Sequence, residues 1–113
     1  MAENIAVRHF WLKVVRHFLE LIIVDTLRKE PLNGNQLKQK VHDKYAVDLS
    51  SDAIYDRLRN LQKQGLIEPA KTESEGKTYT ATKQGVDLLN KLAAYREETT
   101  TFLKALLTSK EET

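Results

Sequence analysis

Apolar residues recur at helical intervals along most of this chain and at strand intervals in only one short region. From residue 5 to 29, Phe10, Trp11, Val14, Val15, Phe18, Leu21, Ile22 and Leu27 form a broad apolar stripe around one long predicted helix. So wide a stripe needs more than one neighbour. Its C-terminal half suits the chain's own core, which leaves the Phe10 and Trp11 end for another surface such as a second subunit. The string Val-Arg-His-Phe occurs at 7–10 and again at 15–18, which is chance or a helical face pattern and not a repeat architecture. Pro31 closes the region. Leu32-Asn33-Gly34-Asn35 is turn chemistry ahead of a second helix with Leu37, Val41 and Tyr45 at four-residue spacing, capped by Asn33 or Asn35. Val47 and Leu49 then alternate as in a brief extended segment.

The next helix is marked at both ends. Ser50 can cap free backbone N–H groups, Asp52 suits the positive end of the dipole, and Gly65 can take the left-handed conformation that stops a helix. Ile54, Leu58 and Leu61 recur at steps of four and three and should face inward. Ser51, Asp52, Tyr55, Asp56 and Arg59 fall on the opposite side. Two strand candidates follow, Leu66 to Lys71 and Lys77 to Ala81, around the polar loop Thr72 to Gly76, and Pro69 makes the first an edge strand. Thr82 caps a final predicted helix in which Leu88, Leu92, Tyr95, Thr99, Phe102 and Leu106 keep a steady rhythm of fours and threes. A second stripe of Leu89, Ala93, Leu103 and Leu107 on one long helix calls for a partner, and Thr99-Thr100-Thr101 is a place where the helix can break.

Helix, turn, helix and hairpin in that order describe a mainly α fold with a small β-hairpin wing, a winged helix-turn-helix with long N- and C-terminal helices forming a dimer. One domain accounts for residues 1–113: an N-terminal helix (1–30), the helix-turn-helix (31–65), the wing (66–81) and a dimerisation helix (82–110). The dimer seam would use Phe10, Trp11, Leu88, Leu92, Tyr95, Phe102 and Leu106.

Composition narrows the function classes. With no cysteine, disulfides and thiolate metal sites are excluded, which suits a reducing cytoplasm. The most apolar window, Phe18 to Leu27, carries Glu20 and Asp25 and is too short to span a bilayer, and the N-terminus is unlike a signal peptide. The chain reads as soluble. Its net charge of +2 is modest for a DNA-binding protein. Residues 31–65 hold six lysines or arginines against four aspartates, so basic charge gathers thinly at the proposed reading head. Few phosphates would be neutralised and the salt dependence of binding would be shallow.

The outward face of the Ser50–Gly65 helix is short, polar and hydrogen-bonding, as a helix entering a major groove about 12 Å wide requires. Double-stranded DNA is the expected partner, with Asn35, Gln36, Ser50, Ser51, Asp52, Tyr55, Arg59 and Lys77 as contacts. Each has a structural alternative. Tyr55 can touch a phosphate or pack its ring on the first helix with its hydroxyl in water. Arg59 can meet guanine or phosphate, or pair with Asp56. Asp52 and Asp56 can accept from cytosine or neutralise nearby lysines, and Lys71 and Lys77 can flank the backbone or serve solubility. His9 and His17 are about 12 Å apart along a helix, too far for one ion, and no metal or other cofactor is expected. Trp11 at a dimer seam could sandwich a planar aromatic effector, or pack as ordinary interface. No phosphate loop, Gly-x-Ser-x-Gly elbow or carboxylate–histidine cluster suggests an enzyme. A sequence-indifferent architectural role on DNA, or a winged helix used for protein contacts, are the competing readings.

Between Phe18 and Leu92 the chain resembles the PadR family of winged-helix transcriptional regulators. The resemblance lies in Glu30-Pro31-Leu32-Asn33-Gly34, in Ser50 with Ile54-Tyr55 and Leu58-Arg59-Asn60-Leu61, in Gly65-Leu66-Ile67-Glu68, and in Lys77-Thr78-Tyr79-Thr80-Ala81-Thr82 with Gly85. It implies a homodimer that pairs through the C-terminal helix and part of the N-terminal one, represses genes from palindromic operators, and touches the DNA backbone with Tyr55. Ser51 and Asp56 stand where the family often has proline, which implies a different base preference. The acidic tip Glu73-Ser74-Glu75-Gly76 replaces a tip commonly rich in glycine, arginine and proline, so no arginine is on hand for the minor groove.

Overall fold

The computed structural model describes residues 4–70 and 77–108. Within them the chain forms α1 (Ile5–His17), α2 (Leu19–Lys29), α3 (Gly34–Tyr45), α4 (Ser51–Lys63), the hairpin β1 (Ile67–Pro69) and β2 (Tyr79–Ala81), then α5 (Lys83–Ala93) and α6 (Arg96–Leu106). The mainly helical class with a small antiparallel wing is the one the sequence indicates.

The core is built around α2. Leu19, Ile23, Val24 and Leu27 are all buried, and this helix packs against α1, α4, α5 and β2. Leu37 and Val41 of α3 join it with Ile54, Leu58 and Leu61 of α4, and Val47 and Leu49 fill the space under the turn between those two helices. Val47 and Leu49 are buried as their alternation suggests, but they lie in no strand.

The helix expected over 5–29 is two helices. Phe18, at φ −97° and ψ 9°, ends α1 and opens α2. The joint lets α2 run through the core while α1 lies on the C-terminal end of α3, where the Arg8 guanidinium donates to the Ala46 carbonyl (3.3 Å) and the Trp11 indole N–H donates to the Tyr45 carbonyl (2.8 Å). Ala46 itself ends α3 in the left-handed conformation, φ 57° and ψ 38°. The final helix also divides. The N–H groups of Ala94 and Tyr95 bond to carbonyls three residues back, Lys91 (3.2 Å) and Leu92 (2.9 Å), and this tightened turn ends α5. The break precedes Thr99-Thr100-Thr101, which stand inside α6. Residues 109–110 of the expected helix lie outside the described residues.

Both strands are shorter than their apolar patterns suggest. Ile67 faces Ala81, Glu68 faces Thr80 and Pro69 faces Tyr79. Lys71 and the loop Thr72 to Gly76 fall outside the described residues. Tyr79 exchanges both its backbone hydrogen bonds with Leu32 on its other side (2.9 and 3.2 Å). The Pro69–Tyr79 pair is therefore a non-hydrogen-bonded one, and the missing N–H of proline leaves nothing unsatisfied. At the root of the wing, Gly65 has φ +76°, and a Cβ on Gly85 would meet the Leu66 carbonyl oxygen at 2.3 Å. Both positions require glycine, one for its conformation and one for its size.

On the surface, the hydrogen bond from Arg28 holds the Asp25 carboxyl below the usual carboxylate range, with Lys29 adding to it and partial burial opposing. This pair contributes stability above the ordinary aspartate pKa and loses it as pH falls through the lowered value, a small effect for side chains about 40% exposed.

Because Ile23 is fully buried at the centre of α2, Ile23→Ala should cost about 2–5 kcal/mol in urea unfolding. A cost below about 1 kcal/mol would place the centre of the core elsewhere.

Candidate nucleic-acid interface

Each helix of the helix-turn-helix, α3 and α4, begins with a side chain that takes up a free backbone N–H group. Ser50 accepts from the Ala53 N–H (3.1 Å), as expected of it. At α3 the cap is Asn33, with a reciprocal partner: Asn33 accepts from the Gln36 N–H while the Gln36 side chain accepts from the Asn33 N–H, both at 2.8 Å. The spacing Asn-x-x-Gln is the signal that separates Asn33 from Asn35 as the cap. Asn35 is exposed beside it.

Helix α4 has the two faces its periodicity implies. Ile54, Leu58 and Leu61 are buried, while Ser51, Asp52, Tyr55, Asp56 and Arg59 are exposed. Arg59 is hydrogen-bonded to Asp56 one turn earlier, so a guanidinium acting on another molecule would first exchange that partner. Tyr55 is 36% exposed. Its ring lies against the first turn of α3, with Gly34 beneath it.

The side of α4 toward α2 carries a polar fixture that the sequence does not announce. Glu20 accepts from the Asn60 amide (3.0 Å) and from the Arg57 guanidinium (3.4 Å). One carboxylate of α2 thereby holds two successive turns of α4 by their side chains, and no local motif could reveal a contact between residues 37 and 40 positions apart. Across the turn, the His42 imidazole in the last turn of α3 and the Asp48 carboxylate are 2.7 Å apart. On the wing, exposed Lys77 has its Nζ 5.5 Å from the ring centroid of Tyr79. Among the described residues, no group of three or more His, Asp or Glu is placed to hold a metal ion.

The residues expected at a dimer seam fall on the first helix and on the last two. Phe10 and Trp11 are exposed on α1, and Leu92, Tyr95, Phe102 and Leu106 are exposed from the end of α5 through α6, while Leu88 is half-buried. Trp11 is fastened to its own chain through its bond to Tyr45, whose ring lies 6.5 Å away at a 49° tilt.

These parts define a winged helix-turn-helix protein. The model of the transcriptional regulator PadR-like family matches residues 23–91. The chain belongs to that family. Among solved structures it is similar to a PadR-like transcriptional regulator from Bacillus cereus, with a TM-score of 0.74, 24% identity, and coverage of 87% of this chain and 99% of that one. A PadR family transcriptional regulator from Eggerthella lenta gives a TM-score of 0.73 at 24% identity, covering 93% of this chain and 95% of that one. Bacillus subtilis PadR in complex with operator DNA gives 0.58 at 25% identity, covering 66% of this chain and 46% of that one. No curated protein matches the chain. No helix among the described residues is long and apolar enough to cross a membrane.

The reciprocal cap on α3 makes Asn33 a stability determinant. Asn33→Ala should cost about 1 kcal/mol in chemical denaturation, the usual worth of an N-cap, and an unchanged midpoint would mean that the cap contributes nothing.

Proposed function

We propose that this member of the PadR-like family is a cytoplasmic, sequence-specific DNA-binding repressor that acts as a homodimer on palindromic operators. The observation that carries this reading is the outward face of α4, where hydrogen-bonding side chains stand exposed above an apolar face locked into the core. Nothing in the packing of the domain requires Ser51 or Arg59 on that face. Ser51, Tyr55 and Arg59 lead the contacts, supported by Ser50, Asp52, Asn35, Gln36 and Lys77. The operator complex of the Bacillus subtilis relative supports DNA as the partner.

The homodimer reading is supported by apolar side chains exposed on α1 and α6. Phe102 and Leu106 are 64% and 61% exposed and Ile5 is 72% exposed, and contiguous apolar surface such as that of Phe102 and Leu106, one turn apart on α6, marks an interaction site. Paired through α6 and the front of α1, two copies would set their α4 helices about one DNA turn apart, roughly 34 Å.

Selection from a random DNA library at near-physiological salt, with Tyr55→Ala alongside, tests the first part. The expected result is an inverted repeat that is enriched by the wild type and lost with the variant, with a shallow salt dependence. Salt-sensitive binding without enrichment would support an architectural role instead, and no binding would redirect attention to protein partners of α4. Sedimentation tests the second part: the full chain carrying Phe102→Glu and Leu106→Glu should run as a monomer and bind the selected repeat at least tenfold more weakly. A dimer of unchanged affinity would remove α6 from the interface.

A further inference from the structure

Gly34 is the first residue of α3, and it is buried. Its backbone does not call for glycine, since among the described glycines only Gly65 has a positive φ. Helix propensity argues against it too, because alanine is the better helix former. What requires it is a neighbour. A Cβ on Gly34 would lie 2.4 Å from Cζ, 2.7 Å from Cε1 and 2.6 Å from the hydroxyl oxygen of Tyr55. Carbon atoms in contact sit about 3.5–4.0 Å apart. The ring therefore occupies the place a methyl group would take.

We infer that Gly34 is a positioning residue for Tyr55. By carrying no side chain it admits the tyrosine ring to the first turn of α3 and fixes the phenol there. This rests on the reading of Tyr55 as a contact to DNA. A phenol on an exposed helix face ordinarily explores several rotamers, and ordering it on binding opposes affinity. With the ring seated on Gly34, that ordering is done in the free protein, and the hydroxyl is held at a set distance from both helices of the helix-turn-helix. The seat is itself firm, because the turn beneath it is closed by the reciprocal Asn33–Gln36 hydrogen bonds. The contact also ties α3 to α4 at the exposed edge of their interface, outside the apolar contacts through which Leu37 and Val41 join Ile54 and Leu58 in the core.

The test compares Gly34→Ala, Tyr55→Phe, Tyr55→Ala and the double variant Gly34→Ala with Tyr55→Ala. The readouts are affinity for a selected DNA site, melting temperature, and the proton chemical shift of the residue 34 Hα in the free protein. In the wild type the Gly34 Hα should be displaced by the ring current of Tyr55, and the displacement should vanish in Tyr55→Ala. Gly34→Ala should weaken DNA binding about tenfold, as Tyr55→Phe should, the scale of one hydrogen bond to a charged group. It should also lower the melting temperature. In the Tyr55→Ala background the added methyl should do neither, so the double variant folds and binds like Tyr55→Ala alone. Wild-type affinity in Gly34→Ala beside weakened Tyr55→Phe would overturn the positioning role, and so would a loss that adds in full on the Tyr55→Ala background. If both Tyr55 variants bind DNA as the wild type does, the DNA role of Tyr55 falls and the positioning role with it. In that event the Hα shift and the melting temperatures still report whether the ring sits on Gly34.

Discussion

The fold depends on a helix that has no dry side to spare. Leu19, Ile23, Val24 and Leu27 take α2 through the middle of the domain, and α1, α4, α5 and the second wing strand all rest on it. Burying each such side chain stabilises the domain by about 1.5–3 kcal/mol. The result is that α4 is held entirely from behind. Its apolar residues meet the core, Glu20 takes hold of Arg57 and Asn60, and the outward face adds the Tyr55 contact with Gly34 and the Arg59–Asp56 hydrogen bond. A helix secured in this way can vary its outer residues from one relative to the next without altering the fold, which fits a family whose structures stay alike at about 24% identity.

The parts of the molecule governed by local chemistry were legible in the sequence. Ser50, Gly65 and Thr82 occupy the caps and the stop that their residue types imply, and Ile54, Leu58 and Leu61 are buried as their spacing implies. The helix joints were not legible. Apolar periodicity runs on through Phe18 because the helices on both sides need an apolar face, so the pattern has no gap where the backbone turns. At Ala94 the residue is a good helix former, and the break comes where burial ends: from residue 91 onward every described side chain is exposed. Thr99-Thr100-Thr101 have the weaker propensity, yet they continue the helix. A few tenths of a kcal/mol per residue do not decide where a helix stops.

What the sequence could not show is what lies far apart along it. The Leu32–Tyr79 bridge makes the hairpin part of the body of the domain, and it explains how Pro69 is accommodated. The Trp11 indole N–H bonds to the Tyr45 carbonyl, 34 positions along, while the side chain stays exposed. Tyr55 and Gly34 show the same limit at the candidate site. Each has an ordinary local explanation, an exposed aromatic and a turn glycine, and only their proximity shows that each accounts for the other.

The closure of the first turn of α3 has a chemical consequence at the surface. A glutamine amide normally offers an approaching molecule both an acceptor and two donors, and can rotate to present either. In Gln36 the carbonyl oxygen is engaged by the Asn33 N–H, which fixes the orientation of the amide and leaves its NH2 group as the end still open to new bonds. A side chain free to turn either way in the unfolded chain thus takes one orientation on folding, with its NH2 group wholly uncommitted and one lone pair of its oxygen in use. It therefore meets an approaching molecule with two free donors and at most one free lone pair.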